Sequence, residues 1–569
     1  MTQQQLPLME LDLGGVGGEV GGDAGTGESG ASGGDAGERV KERLARWEAE
    51  SVLERLRDQD PTLWTGEESE IASRLGWLDL PRGAWLGGLD AIVSGAAAAQ
   101  GLGIDHTILI GMGGSSLAPL VLERVFKPQR RKLLVMDTTH PDSVRRLVDT
   151  FPAKGFQFVV SSKSGTTLET RVMTEVLFHA AERWVAHPGS HFLAITDEGS
   201  MLEDLAEAKD FKSVFTAPSD VGGRFSALSV FGLLPAAMIG IDPERLLLRA
   251  AAMEDNCLRG PASVGLELGA ALGELALLGR DKLTFLTSPS VAALPLWLEQ
   301  LVAESLGKDG KGIVPISGEP QGNVESYGRD RVFVGIAMEG EEGPLGQFLA
   351  RLSQAGHPTI RIVMRDRYDL GAEFFRWEVA VAAAAMILEV NPFDQPDVEA
   401  AKTEARRLLD GKKVRGTLPE VISVGQRERL AKALKSWLAS GTAGDYFSIL
   451  AYLPPSLETD RELVELQRRV RDSTGIATTA GYGPRYLHST GQLHKGGPNS
   501  GVFLQIVPSL KTDFLVPGGG LSLGGVITAQ ADGDAVALIA AGRRILRVDI
   551  EDSSRKGLWL LRQLLPAGR

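Results

Sequence analysis

The sequence predicts an α/β fold made of two doubly wound parallel-sheet lobes behind a disordered tail. Three observations carry this. Short, almost unbroken apolar runs at 106–111, 132–136, 156–161 and 191–196 alternate with helical stretches. Strands buried on both faces by crossover helices read this way. The same alternation restarts near residue 283. The first 37 residues are rich in Gly and acidic residues, with little apolar surface to offset the entropy of ordering them.

A chain of 569 residues exceeds what one core usually holds. We expect the tail at 1–37, wrapping helices and a first lobe at 38–280, and a second lobe with a C-terminal extension at 281–569. From Arg39 the residues Val40, Leu44, Trp47, Val52, Leu53 and Leu56 follow helical spacing. Trp64, Trp77, Leu78 and Trp85 read as a segment wrapped over the core. The first lobe's four strands are followed by a fifth at 211–215 and a buried helix at 228–239. In the second lobe we expect strands at 283–286, 332–336 and 360–363. Helices are expected at 294–306 and, Ala-rich and buried, at 374–388. A basic stretch at 401–416 comes next, then strands at 447–453, 476–480 and 501–506. Residues 535–548 read as helix then strand.

Composition narrows the function. A net charge of −13 and a pI near 5.3 oppose general nucleic-acid binding but leave room for a small anion held by local donors. Cys257 is the only cysteine, which excludes an intrachain disulfide and a cysteine-based zinc site. The longest apolar stretch, 228–241, is broken by Pro235 and falls short of the ~20 residues a bilayer span needs. No Lys or Arg precedes Arg39 and no apolar core of a signal peptide follows Met1, so we expect a cytoplasmic protein without membrane contact.

Two loops carry chemistry. The run 106–111 leads into Gly111-Met112-Gly113-Gly114-Ser115-Ser116 and then a helix, a geometry that presents free backbone N–H groups. The run 156–161 leads into Ser162-Lys163-Ser164-Gly165-Thr166-Thr167, whose four hydroxyls suit a tetrahedral anion. Both follow strands of one parallel sheet and should open on its C-terminal edge. Together they point to a phosphorylated small molecule.

Five segments carry a resemblance: 110–119 (IGMGGSSLAP), 161–170 (SSKSGTTLET), 221–226 (VGGRFS), 304–308 (ESLGK) and 394–402 (DQPDVEAAK). In that order they resemble the signatures of the glucose-6-phosphate isomerase family, whose lobes are sugar-isomerase (SIS) domains of flavodoxin-like type. The likeness runs from about residue 45 to the C-terminus. It is greatest to the isomerase half of fused bacterial transaldolase/phosphoglucose isomerases, without a transaldolase barrel.

The resemblance implies interconversion of glucose 6-phosphate and fructose 6-phosphate through a cis-enediol, without metal or cofactor. It implies a sugar-phosphate substrate and a homodimer. Gly113, Gly114, Ser115, Ser162, Ser164 and Thr167 would hold the phosphate, with Lys163 adding charge. Arg224 would stabilise the enediolate oxygen. Glu304 would be the base that moves the proton between C1 and C2, with Glu299 as its rival. Five residues turn a helix by about 500°, so only one of the two can face the cleft. Lys402 and Gln395 match the family's motif around the ring-opening step. The usual histidine between glutamate and lysine is missing, and only His357 lies there. A stretch past Lys402, 483–497, holds His488, our choice for ring opening, and His494 as second choice. By the family's pattern His488 would complete the partner subunit's pocket. A non-catalytic phosphosugar-binding SIS regulator would keep the two loops without needing Glu304, Arg224 and Lys402 together. Activity on mannose 6-phosphate stays open.

Overall fold

The computed structural model describes residues 6–13 and 36–566, apart from 83–85, 102, 151–154, 261, 414–415, 508–509, 511 and 552–554. Its first strand, β1 (Leu8–Asp12), lies inside the stretch read as tail, of which 1–5 and 14–35 are outside the described residues. Leu6, Met9, Leu11 and Leu13 explain the strand: they pack against the main core.

The first lobe is a fully parallel sheet of β2 (His106–Ile110), β3 (Lys132–Met136), β4 (Phe156–Ser161), β5 (Phe192–Asp197) and β6 (Ser213–Ala217), in the order β3-β2-β4-β5-β6. Helix α1 (Leu168–Ala181) follows β4. The second sheet holds β7 (Lys282–Thr287), β8 (Val314–Ile316), β9 (Arg331–Met338) and β10 (Thr359–Met364) in parallel. Its order is β1-β10-β9-β7-β8, with β1 antiparallel on β10. Helix α2 (Pro295–Leu306) follows β7, and α3 (Leu370–Leu388) runs buried through the molecule.

The stretch expected as a C-terminal extension forms a third parallel sheet. After helix α4 (Val398–Leu409) come β11 (Val421–Ser423), β12 (Tyr446–Ala451), β13 (Ala477–Tyr482), β14 (Gly501–Val507), helix α5 (Leu523–Ala540) and β15 (Arg544–Asp549), ordered β11-β15-β14-β12-β13. In all three sheets the four strands that follow one another from β2, β7 or β12 are wound alike. The first lies between the second and the third.

The third sheet rests on both lobes. Tyr446, Leu450 and Phe503 share an apolar cluster with Ala303, Val314 and Ile316 of the second lobe. Val516, Leu523 and Val526 share one with Ile110, Met136 and Val160 of the first. The buried carboxylate of Glu319 accepts from Arg331 Nη2 (2.9 Å) and from the backbone N and Oγ1 of Thr478 (2.8 and 2.9 Å). Among the described residues, α5 alone is long and apolar enough to cross a membrane, and it is mostly buried in the protein.

Candidate active site

The two hydroxyl-rich loops leave the neighbouring strands β2 and β4, where the strand order reverses, and open into a cleft of 540 Å³. In the first loop Gly113 takes φ +55°, and Gly114 lies so close to the 223–225 turn that a Cβ would stand 2.1 Å from the Gly223 oxygen. Only glycine lets this loop and the Arg224 turn touch. In the second, the Ser164 and Thr166 hydroxyls are 2.7 Å apart, and Thr167 stands at the N-cap position of α1 without a side-chain capping bond. Lys163 pairs with Asp197 at 2.7 Å. Gly113, Gly114, Ser115, Lys163, Ser164 and Thr167 all line the cleft. Ser162 does not. It is buried behind the loop with its hydroxyl 3.4 Å from Thr167 Oγ1, so it orients Thr167 instead of facing the cleft.

Across the cleft, the last turn of α2 brings in Glu304. Gln300, one turn earlier, donates from Nε2 to Glu304 Oε2 (2.9 Å) and to the His488 carbonyl (2.8 Å). Glu299 is not in the cleft wall; burial pushes its carboxyl up to about 8. Arg224 stands 3.5 Å from Glu304 Oε1. Its other N–H groups reach Ser305 Oγ (2.9 Å), Gln395 Oε1 (3.0 Å) and the carbonyls of Pro392 and Asp394. Burial lowers its pKa, while Glu304 and Asp394 oppose the shift. Glu304 and Arg224 therefore share one wall of the cleft.

The third sheet closes the cleft. The turn Arg485–His488 after β13 places His488 with Nε2 2.7 Å from Glu169 Oε1 on α1. Gln530 Nε2 of α5 donates to the same oxygen at 2.6 Å. Burial pushes the Glu169 carboxyl up, but the charge and hydrogen bond of His488, with the Gln530 bond, bring it below the usual carboxylate range. An ionised Glu169 only accepts, so Nε2 is the donor in this bond. His488 lines the cleft of its own chain, whereas the resemblance placed it in a partner's pocket. His494 is buried away from the cleft with its pKa driven far down, and His357 lies under the second sheet edge-on to Phe333.

Helix α4 runs into the stretch expected to be basic, and one face of it lines the cleft with Val398, Glu399, Lys402 and Arg406. Lys402 Nζ is drawn to Glu399 at 2.7 Å, and Gln395 precedes the helix. Arg74 and Lys495 add two cations that the sequence reading missed; Lys495 is paired with buried Asp534 at 2.5 Å. Among the described residues no group of three or more His, Cys, Asp or Glu is placed to hold a metal ion.

Residues 89–314 match the family model for phosphoglucose isomerase. Glucose-6-phosphate isomerase of Rubrobacter xylanophilus is 31% identical over 366 residues, 55% of this chain and 84% of the relative. The chain belongs to the glucose-6-phosphate isomerase family. It is an aldose–ketose isomerase. The family's enzyme from Symbiobacterium thermophilum is 31% identical over 391 residues, 59% of this chain and 86% of its own. The solved structure of a hypothetical protein from Thermus thermophilus matches at a TM-score of 0.57 and 26% identity, over 65% of this chain and 97% of that one. Against the family model, Gly113, Ser115, Arg224 and Glu304 fall inside the matched residues, whereas Gln395, Lys402 and His488 fall beyond them.

Proposed function

We propose that this chain interconverts glucose 6-phosphate and fructose 6-phosphate by side-chain acid–base chemistry. The phosphate sits against Ser115, Ser164, Thr167 and the N-terminus of α1, with Lys163 and Arg74 at its rim. His488, steadied by Glu169, and Lys402 open the sugar ring by moving protons on and off the ring and C1 oxygens. Glu304 then takes the C2 proton of the aldose, and the C2–H electron pair becomes the carbon–carbon double bond of the enediol. The C1 carbonyl pair moves onto O1, the C2 hydroxyl proton passes to it, and the same carboxyl returns its proton to C1 as C2 becomes the carbonyl. Arg224 stabilises the developing oxyanion beside it, and Gln395 orients Arg224.

The observation that carries this reading is the placement of Glu304 and Arg224 on the wall facing two hydroxyl-rich loops of one sheet edge. A homodimer in the cytoplasm fits the reading, each site being filled by its own chain's His488. The test is Glu304→Gln in a coupled assay with fructose 6-phosphate and no added metal. Turnover should fall by roughly 10²–10⁴-fold while sugar-phosphate binding persists. A fully active variant would remove Glu304 from the reaction.

A further inference from the structure

We propose that Lys308 is a positioning residue of this site: it clamps the 391–395 turn beneath Arg224, and turnover depends on its charge. The role rests on the isomerase reading of the cleft. Lys308 is not in the cleft wall, and its side chain is 1% exposed. Its ammonium donates to the carbonyl of Asn391, to the carbonyl of Asp394 at 2.8 Å and to Asp394 Oδ1 at 2.7 Å. Arg224 holds the same turn from the cleft side, through the carbonyl of Pro392, the carbonyl of Asp394 at 2.8 Å and Gln395 Oε1 at 3.0 Å. Two cations thus converge on one carbonyl oxygen, that of Asp394. What Lys308 fixes is where Arg224 finds its acceptors, and so where the guanidinium stands against Glu304.

The chemistry of the clamp is specific to a charged amine. An ammonium has three N–H groups for three acceptors. A neutral amine has two and a lone pair, which would face an oxygen. The charged groups acting on Lys308 are Arg224, Asp394 and Glu304. Burial and then Arg224 pull its pKa down, Asp394 and Glu304 hold it up, and it comes to about 8. A lysine is charged below its pKa, so the clamp is intact at neutral pH and is lost as pH rises through about 8. The phosphate loops lie elsewhere, so the loss should appear in kcat and leave KM nearly unchanged.

The experiment is the pH–rate profile, with fructose 6-phosphate, of the wild-type protein, Lys308→Met, Lys308→Arg and Glu299→Gln. Wild-type kcat should fall above about pH 8 with a flat KM. Lys308→Met should lose about tenfold or more in kcat without an alkaline limb, and Lys308→Arg should recover part of the loss with its limb moved upward, since arginine stays charged. Glu299→Gln, which removes the other group titrating near 8, should keep the limb. Wild-type kcat in Lys308→Met, an unmoved limb in Lys308→Arg, or loss of the limb in Glu299→Gln would each overturn the role. Should neither Lys308 variant fold, the wild-type and Glu299→Gln profiles decide. A wild-type protein inactive at every pH would instead sink the isomerase reading. An active one with kcat flat through pH 8 and beyond sinks only the clamp.

Discussion

Burial pushes the Glu169 carboxyl up, and the charge and hydrogen bond of His488 bring it back down. In return the carboxylate accepts from one imidazole nitrogen and so fixes the ring's orientation at the cleft. Replacing Glu169 by Gln keeps the shape and removes the charge. We expect turnover of the closed-ring sugar phosphate to fall at least about tenfold. Exchange of the C2 proton in a sugar phosphate that cannot cyclise should change less, as followed by NMR in D₂O. Equal damage to both would mean that Glu169 does not act through His488. The sequence was informative about residues whose task is written in neighbours along the chain, such as the hydroxyls of 161–167 or the glycines before Arg224. It was silent on Glu169, which meets His488 319 positions later, and on Gln300, whose second bond spans 188. Such partners exist only once the third sheet has docked.

At the scale of elements, strands buried on both faces were readable because a short, unbroken apolar run between helical stretches seldom arises in any other setting. β8 and β11 are three residues long and left no such run, and β1 lay in a stretch dominated by glycine. Helix α4 was hidden for a different reason. Part of its surface faces a polar cleft, so its charged residues read as a solvated stretch. The packing of loop on loop is more demanding. A methyl group at Gly114 would stand 2.1 Å from the Gly223 oxygen and 2.3 Å from its carbon, both backbone atoms that cannot swing aside. Gly114→Ala should therefore push the phosphate loop off the Arg224 turn. Overpacking of this kind costs about 1–3 kcal/mol, measurable as a lowered Tm. Activity should fall further than stability, because Ser115 and Arg224 move apart. A variant with wild-type kcat/KM would show that the two loops need not touch.

Across the whole molecule, the two lobes were legible and the third sheet was not counted, although its strands were seen. Nothing in a strand's sequence says which sheet it joins. That sheet brings His488 to its own chain's cleft, and a mixing experiment tests the consequence. Glu304→Gln and His488→Ala subunits, combined under conditions of proven exchange, should show no recovery of activity beyond the sum of the two. Each cleft in a mixed assembly would still lack one of its groups. Rescue would show that the histidine crosses between chains after all.

The pairing of β1 with β10 reaches beyond catalysis. Leu8–Asp12 run antiparallel to residues 359–363, with Glu10 on Arg361 at 2.8 Å, while the Pro7 carbonyl accepts from buried Arg376 at 2.7 Å. A protein trimmed of its first dozen residues would keep every group of the cleft. It would also bare a ladder of unpaired N–H and C=O groups along β10 and leave a buried guanidinium without that acceptor. Such an edge can accept an extended peptide in the place of β1. Proteolysis near the N-terminus would then act less as damage to an enzyme than as the creation of an adhesive surface.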